Sequence, residues 1–368
     1  MKNKSVKNKF DFKKIFNSKK VLITGHTGFK GSWLSAWLSL MGAKLIGVSL
    51  KEKKIQSHLD YLNFIKMYKD YRFDISDYNK IKNCIVKNKP DFIFHLAAQS
   101  LVGRAHEEPL LTWNSNLIGT INVLNSLKFL SNKCSAIIIT SDKCYKNLEI
   151  KKGYKEDDVL GGSDPYSASK ASAEIAIKSY FDTFLKKKKN IKIISCRAGN
   201  VIGGGDWSTN RIVPDCVKAW SSKKTVKIKN PNSTRPWQHV LEALNGYLLL
   251  AIKLKKNKKL HGEAFNFGPE TKKNHKVIEV LKKMKEHWTK VSWKFATRKI
   301  FYESSLLKLN SKKAQYKLTW QSILTFEETI QMISEWYKVY YSTKKNFIVQ
   351  LTLKQIKNYE ILLKKKIN

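Results

Sequence analysis

The sequence predicts an α/β fold, a doubly wound parallel sheet with a smaller, mainly helical second domain. Three observations predict it. Short apolar runs alternate with longer amphipathic ones through the first 200 residues or so, the pattern of repeated strand–helix–strand units. A glycine-rich turn joins the first apolar run to the first amphipathic one. A second one, Val201–Asp206 (VIGGGD), marks a change of character, after which the chain is irregular and then mainly helical.

The elements follow in order. The β-branched run Lys20–Thr24 is the first strand, Ser32–Met41 (SWLSAWLSLM) has helical spacing, and Lys44–Leu50 is strand-like again. Asp91–Ala97 (DFIFHLA), Ala136–Thr140 (AIIIT) and Lys192–Cys196 (KIISC) are further strands, with helices over Asn116–Phe129 and Ser167–Leu185. Strands this continuously apolar belong in a sheet covered on both faces. Residues 207–240 read as short irregular pieces, 241–254 as a helix and Ala264–Phe267 as one more strand. From 271 the chain is mainly helical, ending in Glu335-Trp336-Tyr337 and a Lys-rich tail.

Composition excludes several function classes. No stretch approaches the roughly 18 consecutive apolar residues a membrane helix needs. The basic start runs into an apolar segment ending in TGHTG, a buried strand and not a secretory cleavage site, so a cytoplasmic, membrane-free protein is expected. Cys84, Cys134, Cys144, Cys196 and Cys216 are scattered and form no C-x-x-C pair; neither disulfides nor a metal site is expected. The net charge of +41 suggests a polyanion partner. Yet only six of the 70 basic residues are arginine, the residue nucleic-acid surfaces lean on for bidentate contacts. The lysines are spread along the chain with many Asn and Ile, a pattern of codon drift, so no nucleic-acid partner is expected.

The first glycine turn reads Gly25-His26-Thr27-Gly28-Phe29-Lys30-Gly31, between a strand and a helix. Its glycines allow a tight turn, close approach of backbone to a pyrophosphate, and close helix–strand packing. The helix N-terminus adds free N–H groups and a positive dipole end. The turn makes the fold Rossmann-type, with Gly25, Thr27, Gly28, Phe29, Lys30 and Gly31 as cofactor-binding candidates. An acid about 20 residues on should accept the adenosine ribose hydroxyl. Glu52 suits that role, but Lys51 beside it suits a 2′-phosphate, which leaves NAD and NADP both open. Asp74 has two readings, an adenine-amino contact or a turn acid. Residues 1–200 plus 241–268 are then the dinucleotide-binding domain. Residues 201–240 plus 269–341 form the substrate domain over the sheet's carboxyl edge, and 342–368 the tail.

Tyr166 and Lys170 lie four apart at the start of a helical run, on one helix face. A tyrosine has a pKa of about 10. A neighbouring ammonium stabilises its phenolate and lowers that value, so it can act as a base near neutral pH.

With the glycine turn, this pair resembles the extended short-chain dehydrogenase/reductase family. His95-Leu96-Ala97-Ala98-Gln99, Asn116-x-x-Gly119-Thr120 and Arg197-x-x-Asn200-Val201 are similar to its further signatures. The resemblance implies NAD as cofactor, Ile75, Leu96, Ala97 and Ala98 beside it with Asp74, and Ser141 assisting Tyr166 and Lys170. It also implies a homodimer or higher homo-oligomer.

Thr140-Ser141-Asp142-Lys143-Cys144-Tyr145, GHTGFKGSWLS, Arg235-Pro236-Trp237-Gln238-His239-Val240 and Gly203-Gly204-Gly205-Asp206-Trp207 narrow the likeness. They resemble the nucleotide-sugar 4,6-dehydratase branch that acts on CDP-glucose, over residues 10 to about 364. Where the family's sugar dehydratases usually have Asp-Glu, this chain has Asp142-Lys143. The implied reaction oxidises C4, with Tyr166 taking the hydroxyl proton, eliminates water across C5–C6 with Asp142 as acid, and returns hydride to C6. Lys143 is either the C5 base or an electrostatic partner. Gln99, Asn200, Arg211, Arg235 and His239 are the substrate-binding candidates. Arg235 is the strongest of these, because a lysine-drifted chain keeps arginine where planar phosphate binding matters. The others are weighed against packing roles. Gly103 and His106 stand where the family usually has Arg and Tyr. An epimerase or a dehydratase for another nucleotide on the same fold, and a non-catalytic nucleotide binder, are the competing readings. Asp142-Lys143 argues against the epimerase, the loops that read the nucleotide base leave the other dehydratase open, and the intact Ser141, Tyr166 and Lys170 argue against the binder.

Overall fold

The computed structural model describes residues 12–51, 57–269, 275–288, 291–296, 306–342 and 345–367. Its central sheet has seven strands: β1 (Lys20–Thr24), β2 (Lys44–Ser49), β3 (Lys69–Arg72), β4 (Phe92–His95), β5 (Cys134–Ile139), β6 (Ile191–Ala198) and β7 (Ala264–Phe267). Their spatial order is β3-β2-β1-β4-β5-β6-β7. Every neighbouring pair is parallel. The winding reverses between β1 and β4, and a crevice opens beyond the carboxyl ends at such a switch point.

The apolar runs account for every strand except β3. Its sequence, Lys-Asp-Tyr-Arg, is charged and half-exposed, as an edge position allows. Backbone pairing with β2 makes it a strand despite its composition.

Two other segments differ from the sequence reading. Residues 207–240, expected as irregular pieces, contain the ten-residue helix Ile212–Ser221, which buries Val213, Cys216, Val217 and Trp220 at helical spacing. Pro214 sits in its first turn, where no intrahelical N–H is required. Residues 342–368, expected as a Lys-rich tail, contain the 20-residue helix Ile348–Ile367. It buries Ile348, Leu351, Thr352, Ile356, Tyr359 and Leu363. The Trp37 indole donates to Glu360 at 2.7 Å and the Tyr359 hydroxyl to Glu242 at 2.8 Å. The lysines occupy the other faces and hide the apolar stripe from a composition-based reading.

Each face of the sheet has its own core. One holds Leu22, Ile46, Ile93, Val123, Ile138 and Ile177. The other joins Trp33, Trp37, Ile137 and Ile194 without a break to Val217, Trp220, Val280, Ile330, Trp336 and Tyr359. The substrate-side segments therefore share a core with the sheet.

Candidate active site

The glycine turn is built for close approach. Gly25 has φ +74°, and a Cβ there would lie 2.8 Å from the Ala97 nitrogen; one on Gly31 would lie 2.0 Å from the Gly25 oxygen. A side chain at either position would push the turn away from β4 or from its helix. The 12-residue helix Phe29–Leu40 then begins at Gly28, and no side chain caps it. Its N-terminus is open to an anion. Ala97 N donates to the Thr24 hydroxyl at 3.2 Å and Leu96 N to the Thr24 carbonyl, holding 96–98 against the turn. These features fit the pyrophosphate of a dinucleotide. Phe29 packs against Gly203 of the second glycine turn. Asp74 is exposed and caps its own turn through Ser76 N at 2.8 Å, while Ile75 is buried under Gly119. Glu52 lies outside the described residues.

Asp164 caps the helix Pro165–Tyr180 by accepting from Tyr166 N and Ser167 N, both at 3.0 Å, with Pro165 in the first turn. Tyr166 and Lys170 are therefore presented on its first two turns, and both are buried. The preceding helix passes through a π turn, Asn114–Ile118. Its Asn116 ties Gln99 N (2.8 Å) to Ser169 Oγ (3.0 Å), fixing the end of β4 against the tyrosine helix.

Ser141, Asp142 and Lys143 follow β5 at the start of a short 3₁₀ turn, Asp142–Cys144. Ser141 Oγ donates to Asp142 Oδ1 at 2.9 Å. Asp142 Oδ2 is buried without a hydrogen-bond partner among the described residues. Burial lifts the Asp142 carboxyl above the ordinary carboxylate range, and Lys143, Ser141, Arg235 and Lys30 only partly offset it. A carboxyl that keeps its proton longer is suited to act as an acid.

Two expectations change. Tyr166 is not lowered: burial pushes its phenol up to about 12, with the Ser141 hydroxyl and Arg211 opposing and Asp142 adding to the rise. Burial is the largest influence on the phenol, and Lys170 is not among the main ones. Lys170 falls to about 8 through burial and the charge of Lys30, with Glu174 and Cys144 opposing. Lys30, expected among the cofactor contacts, also falls to about 8; its ammonium lies in the field of Arg211, Asp142 and Asp206. It is part of the charge cluster around Asp142.

The substrate candidates divide. Arg211 donates to Asp206 at 2.8 Å and to Ser100 at 3.2 Å, and its charge reaches Tyr166. Arg235 is buried and its charge acts on Asp142. The charges of these two therefore reach the Tyr166 and Asp142 side of the site. Asn200 lies just beyond β6, where its carbonyl accepts from Gln238 N at 3.0 Å. The Gln99 side chain is occupied by the Leu101 backbone and by the Thr112 hydroxyl of the helix Pro109–Trp113. His239 is fully buried, caps the helix Val240–Lys256 through Leu241 N and packs edge-on to Trp33. Burial lowers it to about 3, so it is neutral. Among the described residues no cluster of three His, Cys, Asp or Glu side chains is placed to hold a metal. No helix of the described residues is long and apolar enough to cross a membrane.

Sequence reasoning missed Glu174, whose charge acts on Lys170, and its ion pair with Arg197 at 2.8 Å. Glu174 continues the Tyr166–Lys170 spacing by four more residues, and that spacing was the available signal.

Residues 22–333 match the family described as GDP-mannose 4,6 dehydratase. The chain is 38% identical over 333 residues to the CDP-glucose 4,6-dehydratase of Salmonella typhimurium, covering 89% of this chain and 93% of that one. It is 24% identical to the CDP-paratose 2-epimerase of Salmonella typhi, over 86% and 98% of the two chains. Among solved structures, an epimerase of Methanothermobacter thermautotrophicus superposes with TM-score 0.78 at 21% identity, over 91% of this chain and 96% of that one. The dTDP-glucose 4,6-dehydratase of Bacillus anthracis, solved with NAD, gives 0.71 at 21% over 87% and 97%. These two likenesses show the fold.

Proposed function

The chain belongs to the GDP-mannose 4,6-dehydratase family, and from that premise we propose that it is an NAD-dependent CDP-glucose 4,6-dehydratase, a hydro-lyase giving CDP-4-keto-6-deoxyglucose. The observation that carries the reading is the buried Ser141-Asp142-Lys143 turn beside Tyr166 and Lys170, in a chain 38% identical to a CDP-glucose 4,6-dehydratase. When bound, NAD would supply the hydride acceptor for C4 and, in its reduced form, the hydride donor for C6, and the turn of Gly25, Gly28 and Gly31 would hold its pyrophosphate.

The chain's own groups do the proton work. Tyr166 takes the C4 hydroxyl proton, with Lys170 supporting the phenolate and Ser141 orienting it. The resulting C4 ketone acidifies the C5 proton. Lys143, half-buried beside Asp142, either takes the C5 proton as the base or stabilises the negative charge of the enolate that its removal leaves. Asp142, whose carboxyl burial raises above the ordinary range, gives its proton to the departing C6 hydroxyl. Arg235 and Arg211 hold the nucleotide diphosphate. Asp142-Lys143 disfavours an epimerase, which has no water to eliminate.

Incubation with CDP-glucose and NAD, followed by the alkali-dependent absorbance of a 4-keto sugar, tests the reading. Product is expected with CDP-glucose and little with other nucleotide-glucoses; equal turnover of dTDP-glucose overturns the substrate assignment. Tyr166→Phe should lower kcat on the order of 10²–10⁴-fold, and unchanged turnover removes it from the mechanism.

The finer partner and location readings belong to the same proposal. The helices Pro109–Trp113 and Pro165–Tyr180, with the π turns that follow them, expose Leu110, Leu111, Ile118, Ile175 and Phe184, an apolar face suited to a second copy of the chain. Leu110→Glu should shift sedimentation from dimer to monomer. Five buried, unpaired thiols suit a reducing cytoplasm.

A further inference from the structure

The tyrosine helix carries Tyr166, Lys170 and Glu174 at successive four-residue steps, so the three share one face. Glu174 is almost fully buried. Its Oε2 accepts from Arg197 Nη2 at 2.8 Å and from Ser195 Oγ at 2.9 Å, and its Oε1 from Thr140 Oγ1. Arg197 Nη1 donates to the Tyr145 hydroxyl at 2.7 Å and to the Glu156 carbonyl at 2.8 Å. Tyr145 in turn donates to Asn266 Oδ1 on β7 at 2.7 Å.

Thr140 immediately precedes Ser141-Asp142-Lys143, and Tyr145 closes the 3₁₀ turn that carries them. Both ends of the turn are therefore tied to one ion pair, and that pair stands on the helix that presents Tyr166 and Lys170. We propose that Glu174, through Arg197, is the positioning residue that registers the Asp142-Lys143 turn against Tyr166 and Lys170. The inference rests on the dehydratase reading above.

The energetics favour positioning over simple stabilisation. A buried ion pair recovers little net stability compared with well-packed apolar residues, because both charges lose their water. What it supplies is fixed direction, through four hydrogen-bonding partners on three sequence segments. Geometry of that kind matters here because elimination needs the acid and the base on the same sugar at the same time. A displacement of about 1 Å at a reacting group costs on the order of 10²-fold in rate.

A second readout follows from charge. The groups facing Lys170 are Glu174 on its own helix, Lys30 from the glycine-turn helix, Cys144 after β5 and His95 of β4. His95 is neutral, because burial lowers it to about 3. Glu174 is the carboxylate among them, and its charge opposes the lowering of Lys170 by burial and Lys30. Losing its charge should let Lys170 deprotonate at lower pH and withdraw support from the phenolate.

The test compares Glu174→Gln and the apolar double variant Glu174→Leu/Arg197→Met with the wild-type chain, each turning over whichever nucleotide-glucose the wild type accepts. Wild-type turnover alone judges the dehydratase reading, so failure of that reading is seen before any variant is compared. In Glu174→Gln, kcat should fall on the order of 10–100-fold. KM and NADH binding should stay within about twofold, and the basic limb of the kcat–pH profile should move to lower pH. The double variant should melt near the wild type and still lose kcat. Wild-type kcat in the double variant, or a loss of kcat matched by equal loss of melting temperature and NADH binding, overturns the proposal. If Glu174→Gln does not fold, Thr140→Val decides. It cuts one link and leaves the ion pair, so lowered kcat at unchanged KM supports positioning and unchanged kcat refutes it.

Discussion

Two buried glutamates of this protein live opposite electrostatic lives. Burial alone would raise the Glu174 carboxyl, but Arg197 at 2.8 Å and three hydrogen bonds hold it below the ordinary range. Glu242 is as deeply buried and has no cation among its main influences; burial pushes it up to about 7 against donation from Leu324 N, Tyr359 and Ile323 N. The first sits behind the catalytic turn, where a permanent charge and fixed direction serve the chemistry. The second sits at the base of the helix Val240–Lys256, where it gathers the 323–324 loop and the helix Ile348–Ile367. A charge is kept inside this molecule where chemistry needs one, and allowed to neutralise where only a joint is needed.

The largest effect that would break this contrast comes from stranding the cation. Glu174→Leu with Arg197 retained leaves a buried guanidinium without its carboxylate and should cost about 3–5 kcal/mol in urea unfolding. A cost under about 1 kcal/mol would show that solvent reaches the pair.

Next comes pH. Folded Glu242 keeps its proton up to about pH 7, whereas the unfolded chain releases it near the ordinary value of 4.5. Between those values the unfolded state ionises first, so Glu242 makes stability fall as pH rises and contributes no further change above 7. Glu174, with its folded value depressed, acts the other way: its contribution is present above the ordinary carboxylate range and lost as pH falls through the folded value. Glu242→Gln should therefore gain on the wild type between pH 5 and pH 8, by at most about 3 kcal/mol. An unchanged difference in urea midpoint between the two pH values would mean that Glu242 is ionised in the folded chain.

The smallest effect sharpens the joint. Tyr359→Phe removes one donor to Glu242 and should cost about 0.5–1.5 kcal/mol. The loss should be greater at pH 8, where the carboxylate keeps its charge, and thermal unfolding at the two pH values would show it.

Most of the fold was legible because parallel strands covered on both faces must be apolar throughout. Lys20–Thr24 and Ala264–Phe267 stand out in sequence for that reason and keep those bounds in the structure. β3 was not legible, since an edge strand need not be apolar. The helix Ile348–Ile367 was masked by lysines that occupy its solvent faces. Of the candidate site, Gly25 and Tyr166 were readable because their demands are local: a positive φ and a helical repeat. Glu174 had a local signal, but its partners Thr140, Ser195 and Arg197 lie 34, 21 and 23 residues away. Only the parallel register of β5 and β6 brings them together. The rise of Tyr166 was likewise beyond sequence, because burial is set by every segment packed around the phenol.

The contact between Trp37 and Glu360 closes a loop of 323 residues. During synthesis at about 5–20 residues per second, the helix Phe29–Leu40 is made tens of seconds before the helix Ile348–Ile367 that covers one side of it. Over that interval Trp37 lacks its indole acceptor and the ring of Tyr359. The nascent chain therefore carries Trp37 without its C-terminal cover until residue 360 has been made.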